Sequence, residues 1–319
     1  MKERSLISVC IVTLNQRRYV RQCVESVLEQ SVDADLEILV GDDCSSDGTS
    51  EIVAELAAAH PDVISHFRHN PRLGAFENMK GLIGRASGDF IARVDADDYW
   101  LPGKLERQLD YLVENPDCSA VYTNALTIDD AGNAIGRFND IGDQQFDLAE
   151  MLRRGNFLNN SSVLFRPQGK LAWLGAEKRQ IDYWAHLFHA RNGFLAQIGE
   201  PLTAYRVSSA GSMVAHANEH VRKMYWEAIM SVPRELISDD DLAHGIADFM
   251  RRAFYRALLT RNATLLKEWI PRALAASPFG AIRTGALVLG SIIRMAYKEL
   301  IGRMQKDAQG RRLRVLYRR

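Results

Sequence analysis

Strand and helix patterns alternate through the first third of this chain. Apolar, β-branched runs typical of buried strands occupy residues 6–12, 36–40, 63–67 and 90–94. Apolar residues at helical spacing fill the segments between them, at 19–30, 47–60 and 74–86. A strand followed by a helix and another strand forms a β-α-β unit, which places the two strands parallel. The alternation therefore predicts an α/β fold with a Rossmann-like, mostly parallel sheet flanked by helices.

Polar residues collect where the predicted strands end. Thr13 and Asn15 follow the first strand, Asp42 and Asp43 follow the second, and residues 95–98 follow the fourth. Open α/β sheets bind their ligands beyond the carboxyl ends of the strands. We therefore expect these side chains to border one ligand site.

Three carboxylates occupy four positions after the fourth strand, at Asp95, Asp97 and Asp98. Side chains alternate along a strand, so Asp95 and Asp97 are expected to point the same way. No Lys or Arg lies between them to offset their repulsion, which favours a bound cation. Oxygen ligands suit Mg²⁺ or Mn²⁺, and these ions commonly carry a phosphate-bearing substrate. The alternative is a solvated acidic turn.

The pair Asp42 and Asp43 ends the second strand. A carboxylate at Asp42 can accept a hydrogen bond from the imide N–H of uracil or thymine, or from a ribose hydroxyl. The alternative is that Asp42, Asp43 and Asp47 form turn and helix-cap hydrogen bonds. We expect Asp47 to be mainly structural and Asp42 to be functional.

The turn after the first strand argues against one common function of such a sheet. A dinucleotide-binding domain needs a G-x-G-x-x-G turn there, whereas residues 13–20 read TLNQRRYV, without glycine. The chain also has no Walker A motif and no G-x-S-x-G elbow. An NAD enzyme is therefore not expected.

The composition is that of an ordinary enzyme. The 319 residues include 40 Lys and Arg against 40 Asp and Glu, a balance that gives no sign of nucleic acid as a partner. The N-terminus turns polar too early for a signal peptide, so a cytoplasmic location is expected. The four cysteines are scattered without a C-x-x-C, which argues against zinc and disulfides; they are Cys10, Cys23, Cys44 and Cys118.

The last third of the chain reads as helices, predicted at 219–232, 240–259, 263–274 and 279–297. We therefore predict a catalytic domain at 1–214 and a helical C-terminal extension at 215–319. The last helix has only ten uncharged residues between Arg283 and Arg294, too few to span a membrane. Two interpretations remain open for 279–319. An amphipathic helix with a basic tail could bind the inner, anionic face of the membrane, or the helix packs on the protein with a solvated tail.

Five segments resemble, in order, the motifs of the family 2 glycosyltransferases, which have the GT-A fold. They cover about residues 5–210 and read SVCIVTLNQRRYVRQCVESVLEQS, EILVGDDCSSDGTSEI, NPRLGAFENMKGLIGRASGDFIARVDADD, NNSSVLFR and IDYWAHLFHARNGFLAQIGEPLTAYRV. The resemblance implies an inverting transfer of sugar from a nucleotide-sugar donor, with UDP or dTDP favoured, to a carbohydrate or lipid-linked acceptor. It also implies a role in bacterial cell-surface polysaccharide synthesis.

The resemblance assigns roles position by position. On the donor side, Thr13 and Asn15 border the nucleotide, Asp42 contacts the base, and Asp95 lies near the ribose. Asp97 binds the Mn²⁺ or Mg²⁺ that bridges the diphosphate, and Asp98 supports that loop. Asp182 is the general base, and Arg206 stabilises the diphosphate or orders the loop after it.

Some positions depart from the family pattern. Cys44 replaces a glycine that usually follows the paired aspartates, and Ile181 replaces a glutamate before the base. Ser208 stands where many relatives have a histidine, for which His216 is a distant substitute. Two functions besides sugar transfer remain open. A nucleotidyltransferase would make nucleotide-sugars but usually has a G-x-G-T-R loop, which is absent, and an inactive binding module would not need both Asp97 and Asp182.

Two further groups have a functional and a packing interpretation. His186 and His189 share a helix face with Asp182, a spacing that zinc could use. Their apolar neighbours favour packing instead. Trp100 and Trp184 could stack on sugar rings or belong to the core.

Overall fold

In the computed structural model of the protein, residues 4–207, 219–304 and 314–317 are described. The strands among them are β1 Ser5–Thr13, β2 Ala34–Asp42, β3 Ile64–Arg68, β4 Phe90–Asp95, β5 Tyr99–Trp100, β6 Cys118–Ile128, β7 Ala134–Asn139, β8 Gln144–Phe146, β9 Leu164–Phe165, β10 Phe194–Arg206 and β11 Val315–Tyr317. The helices are α1 Val20–Leu28, α2 Thr49–Ala59, α3 Ala75–Arg85, α4 Lys104–Glu114, α5 Leu148–Arg154, α6 Leu171–Leu174, α7 Asp182–Arg191, α8 Glu219–Met230, α9 Asp239–Thr260, α10 Thr264–Ala276 and α11 Ala281–Met304.

One sheet runs through the molecule in the order β11-β7-β6-β9-β4-β1-β2-β3. Strand β1 lies between β2 and β4 and is parallel to both, and β3 is parallel to β2. The short strand β9 is antiparallel to β4 and β6, and the long strand β10 is parallel to β6. The predicted α/β class with helices around a central sheet is confirmed.

The residues of strand β1 are buried on both faces of the sheet. Its residues alternate between two apolar clusters, with Ile7 and Val9 in one and Cys10 in the other, and all three are fully buried. Helix α1 packs the first cluster through Cys23 and Val27, which lie one helical turn apart. A strand buried on both faces reads as a continuous apolar run, which is the pattern in the sequence.

The four predicted C-terminal helices are present as α8, α9, α10 and α11. Helix α9 begins with a capping box, in which Ser238 and Asp241 exchange hydrogen bonds with each other's backbone. The second apolar cluster continues from the sheet into this region through Tyr225, Phe249 and Trp269. The domain boundary predicted at 214 lies outside the described residues and stays a prediction.

The last helix has features of both alternatives that the sequence left open: one face packs on the protein and another is exposed. Helix α11 packs against α9 and buries Val288, but its opposite face leaves Ile282, Leu289 and Ile293 exposed. No single helix in the described ranges is long and apolar enough to cross a membrane; α10 and residues 281–301 meet that test only together, and they are bent by 118°. Beyond α11, strand β11 pairs with β7, which neither alternative predicted.

Candidate active site

A cavity of about 720 Å³ opens at the carboxyl ends of β1 and β4. Most of the site residues predicted from the sequence line it: Thr13, Asn15, Asp95, Asp97, Asp98, Asp182 and Arg206. They come from the last residues of β1, β4 and β10, from the turns after β1 and β4, and from the first turn of α7. The sheet and its crossovers thus bring together residues that are far apart in sequence. Asp42 is the predicted site residue that does not line the cavity.

The acidic segment forms a tight turn after β4. Strand β4 ends at Asp95, and the Asp98 amide donates to the Asp95 carbonyl at 2.9 Å. Strand alternation, the reason for expecting Asp95 and Asp97 to point the same way, does not apply to Asp97, because the strand ends at Asp95. Both residues nevertheless line the cavity.

Asp98 anchors the turn from behind. Its side chain is buried and accepts from the Arg206 amide at 2.8 Å. Burial, together with the charges of Asp97 and Asp95, raises the pKa of Asp98 well above its usual range. This geometry is that of a supporting residue.

Arg206 clamps the same turn from β10. Its Nε donates to the Asp97 carbonyl at 3.0 Å, and its Nη1 donates to the Asp129 carbonyl at 2.6 Å. The guanidinium also lies 4.2 Å from the centre of the Tyr19 ring, within cation–π range. Arg206 thus fixes the backbone at the turn while its positive charge borders the cavity.

Asp182 begins α7 and opens onto the cavity, with 43% of its side chain accessible. Asn160 Nδ2 donates to its Oδ1 at 2.6 Å. The enclosed position raises the pKa of Asp182, an effect that Arg93 opposes and Asp95 reinforces. A carboxylate with a raised pKa, oriented by a neighbouring amide, can accept a proton from a bound hydroxyl.

Arg93 connects the two carboxylate groups of the site. It lies on β4 and is only 6% exposed, with Nη2 at 2.8 Å from Asp95 Oδ1 and Nη1 at 3.4 Å from Asp182 Oδ1. Neither Arg93 nor Asn160 was among the site residues predicted from the sequence. One signal was present: an arginine inside the apolar run of β4 must be paired, because buried charges almost always are.

The loops after β1 and β2 are joined at the other side of the cavity. Asn15 donates its amide to Ser45 Oγ at 2.9 Å and accepts from the Ser46 amide at 2.9 Å. Thr13 is buried on the same wall. Asp47 accepts from the Thr49 amide at 3.0 Å and so stabilises the turn before α2, as expected of a structural residue.

Asp42 and Asp43 point in different directions, as successive residues at a strand end do. Asp42 is fully buried and its Oδ1 accepts from the Ser45 amide at 2.9 Å. Asp43 lines the cavity and accepts from the Leu73 amide at 2.6 Å and from Arg72 Nε at 3.0 Å. The base contact predicted for Asp42 stays a prediction, and Asp43 is the member of the pair on the cavity wall.

Cys44, the departure from glycine, has a left-handed backbone with φ 69°. This conformation costs a residue with a Cβ about 1–2 kcal/mol, whereas glycine adopts it freely at the cost of greater unfolded-state entropy. We expect Cys44→Gly to raise the free energy of unfolding by about 0.5–1 kcal/mol, measured by urea denaturation. Cys44→Ala is the control, since it removes the thiol but keeps the Cβ; an equal gain in both variants would contradict this account.

The histidines and tryptophans of α7 and β5 are packed. His186 and His189 are buried, which lowers the pKa of each, and His186 meets the Tyr122 ring edge-on at 5.1 Å. Trp100 is buried and donates to the Ser161 carbonyl at 2.8 Å, and Trp184 does not line the cavity. Ser208 and His216 lie outside the described residues.

The chemistry of the acidic turn fits a hard divalent cation. Its side chains offer oxygen atoms only, and Mg²⁺ is commonly held by one or two carboxylates together with substrate phosphates and water. Within the described ranges, no group of three or more His, Cys, Asp and Glu side chains is arranged to hold a metal. A cation at Asp97 would therefore need further oxygen atoms from water or a phosphate ligand.

Known proteins resemble this chain in sequence and in fold. The family model described as "Glycosyl transferase family 2" matches residues 8–164. The chain belongs to this family. The protein Rv1520 of Mycobacterium tuberculosis is 27% identical over 222 residues, which are 69% of this chain and 64% of that protein. The chain thus matches less than two thirds of the length of this relative.

Two other similarities are informative about this family 2 member. A chondroitin synthase of Escherichia coli is 35% identical over 135 residues, which are 42% of this chain and 19% of that protein. The structure of S. aureus TarS in complex with UDP-GlcNAc superposes with a TM-score of 0.65 and 17% identity, over 88% of this chain and 83% of that one. At that identity the likeness shows the fold, which is GT-A.

Proposed function

We propose that this protein is a glycosyltransferase that moves a sugar from a nucleoside-diphosphate sugar to an acceptor hydroxyl, with inversion. The observation that supports this most directly is the pairing of Asp182 with the acidic turn across one cavity. Arg93 contacts both Asp182 and Asp95, so the two carboxylates have a fixed relation to each other. Asp182 can act on the acceptor while the acidic turn lies beside the diphosphate.

Asp182 is the proposed general base. An acceptor hydroxyl is a poor nucleophile, so Asp182 takes its proton as the oxygen attacks the anomeric carbon. The bond from that carbon to the diphosphate oxygen breaks at the same time, and the nucleoside diphosphate leaves with the bonding electrons. Because the acceptor is the nucleophile, one displacement inverts the centre and no glycosyl-enzyme forms. Asn160 and Arg93 hold the direction of the carboxylate.

The leaving diphosphate is proposed to lie at the acidic turn. Asp97 would hold Mg²⁺ or Mn²⁺ there, and such a cation, when bound, neutralises charge on the leaving diphosphate. Arg206 adds positive charge from the adjoining wall, and Asp98 supports the turn. Asp95 is proposed to lie on the ribose side.

The nucleotide is proposed to lie between the loops after β1 and β2, bordered by Thr13 and Asn15. UDP and dTDP are favoured because a carboxylate can accept from their imide N–H. Asp42 is the residue that the family resemblance assigns to this contact, and Asp43, on the cavity wall, is a second candidate. The complex of TarS with UDP-GlcNAc supports a nucleotide-sugar donor.

The acceptor is proposed to be a carbohydrate or a lipid-linked carbohydrate in cell-surface polysaccharide synthesis. Similarity to a chondroitin synthase supports the polysaccharide class. Residues 1–214 are proposed as the catalytic domain, with 215–319 as its extension.

A donor panel tests the reaction class. The protein is incubated with Mn²⁺ and UDP-, dTDP- and GDP-sugars, and nucleoside diphosphate release and thermal shift are measured. We expect stabilisation by one nucleotide class and release of its diphosphate. Release of pyrophosphate would instead indicate the nucleotidyltransferase, and the absence of binding to every nucleotide-sugar, with or without metal, would contradict the proposal.

We also propose that α11 rests on the inner face of an anionic membrane. Its outward face carries exposed apolar residues at helical spacing, and exposed arginines lie beside them: Ile282, Leu289, Ile293, Tyr297 and Leu300, with Arg283 and Arg294. Apolar burial in the interface and attraction of arginine to anionic lipid act together in such helices. A lipid-linked acceptor would then lie close to the enzyme.

Vesicle binding tests the membrane contact. The double variant Leu289→Glu, Ile293→Glu should reduce co-sedimentation with phosphatidylglycerol vesicles by about tenfold or more, because two apolar side chains no longer enter the interface. Val113→Glu is the matched control, since Val113 is equally exposed but lies on α4. Equal binding by the wild type and the double variant would show that this face does not meet lipid.

A further inference from the structure

The C-terminal strand β11 extends into the wall of the catalytic cavity. Val315 and Tyr317 pair in parallel register with Arg137 and Asn139 of β7, and the Arg137 amide donates to the Arg314 carbonyl at 2.9 Å. The ring of Tyr317 lines the cavity. A residue 135 positions after Asp182 along the chain is thus part of the same cavity.

A glycine in β7 leaves the space in which β11 pairs. Gly136 faces the backbone of Arg314 so closely that a Cβ there would collide with the Arg314 carbonyl oxygen. A glycine within a strand commonly marks such a close approach of another backbone. The pairing of β11 therefore depends on the absence of a side chain at Gly136.

Tyr317 belongs to an aromatic surface at this end of the cavity. Its ring centre lies 5.0 Å from that of Phe138, which in turn meets Tyr205 edge-on at 5.2 Å. All three line the cavity. Aromatic faces of this kind bind ligands that have an apolar face and polar edges, as a pyranose ring does.

The C-terminal helices fix the neighbouring part of the wall. Tyr225 Oη accepts from the Asn156 amide at 2.9 Å, and Arg252 Nη2 donates to the Asn156 carbonyl at 3.3 Å. Asn156 lines the cavity beside Phe157. Arg252 is itself held by Asp248, with Nε at 2.7 Å from Oδ2. Helices α8 and α9 and strand β11 thus build one side of the site together.

The sheet order indicates which substrate this side serves. The loops proposed for the nucleotide follow β1 and β2, whereas β11 is the edge strand at the opposite end of the sheet. We infer that Tyr317 is a binding residue for the acceptor, stacking on a pyranose ring, and that the C-terminal extension completes the acceptor side of the cavity. This inference rests on the proposed function, since it takes the nucleotide to bind at β1 and β2.

Saturation-transfer NMR tests the inference without knowledge of the natural acceptor. The full chain is mixed with UDP, Mg²⁺ and a panel of methyl α- and β-glycopyranosides. Tyr317→Ala should reduce the glycoside signals by about fivefold, as expected for loss of one aromatic contact, and the UDP signals should stay the same. Tyr317→Phe should retain the glycoside signals because the ring remains.

Two glycine variants test the strand separately from the ring. Gly136→Val should displace β11 and lower the glycoside signals as Tyr317→Ala does, while Gly142→Ala, where a Cβ meets open space, should not. Glycoside signals unchanged in Tyr317→Ala, or absent from the wild type when UDP binds, would overturn the inference. Failure of UDP itself to bind the wild type would instead count against the proposed function.

Discussion

Replacing Asp182 with asparagine is expected to lower the rate of sugar transfer by about 10³-fold and to leave donor binding intact. The amide cannot accept the proton of the acceptor hydroxyl, so the attacking oxygen stays a weak nucleophile. The hydrogen bond and the ion pair of Asp182 join it to Asn160 and Arg93 and not to the loops proposed for the nucleotide, so the affinity for the nucleotide should change little. Transfer rates and calorimetric binding of UDP would measure the two effects.

The pH dependence of transfer gives a second signature of Asp182. The base must be unprotonated to act, and the enclosed position of this carboxyl raises its pKa. Transfer should therefore fall as the pH decreases, and the decline should begin at a higher pH than for an ordinary exposed aspartate. Arg93 opposes the rise in pKa, so Arg93→Met should move the decline to still higher pH.

Asp239→Asn is the matched control for Asp182→Asn. Asp239 is also the first residue of a helix and is exposed, so its replacement removes the same charge from a helix N-terminus remote from the cavity. Transfer by this variant should equal that of the wild type. Near-normal transfer by Asp182→Asn would show that another group is the base.

Asp97→Asn is expected to abolish the dependence of nucleotide binding on divalent metal. Asparagine keeps one oxygen but loses the charge that attracts a hard cation. We expect the affinity for UDP in the presence of Mn²⁺ to fall by about 100-fold, while the weak metal-free affinity stays as in the wild type. Calorimetric titration of UDP with and without Mn²⁺ measures both values.

Asp110→Asn provides the control for the change in net charge, because Asp110 is exposed on α4. Its metal-dependent binding should not differ from that of the wild type. If Mn²⁺ raised the UDP affinity of Asp97→Asn as much as that of the wild type, the metal would have to be held elsewhere. Asp97 would then not be the metal ligand.

The first four strands, the helices between them and the C-terminal helices could be predicted because their patterns are local. The run at 6–12 became Ser5–Thr13, and the apolar spacing at 240–259 became Asp239–Thr260. In a strand buried on both faces, and in a helix with one apolar stripe, the apolar pattern of nearby residues shows which sides are buried. The acidic segment at 95–98 was found for the same reason.

Contacts between distant segments could not be predicted in this way. Arg93 lies 89 residues before Asp182 in the sequence, and only the folded protein brings Asp182 to its guanidinium. The direction of Asp43 depends on where β2 ends and on the loop that carries Leu73. Strand β11 follows a helix of 24 residues and pairs with a strand that ends at Asn139, so no local pattern connects them.

The α/β fold, the family, the acidic turn and Asp182 can all be identified from the amino-acid sequence alone. These follow from periodicity and from short motifs, which depend on residues close together in the chain. Three relations are visible only in the folded protein: Arg93 joins the turn to Asp182, Asp43 and not Asp42 faces the cavity, and Tyr317 forms part of the cavity wall. Those relations are set by packing and backbone pairing between remote segments, which leave almost no mark on local sequence.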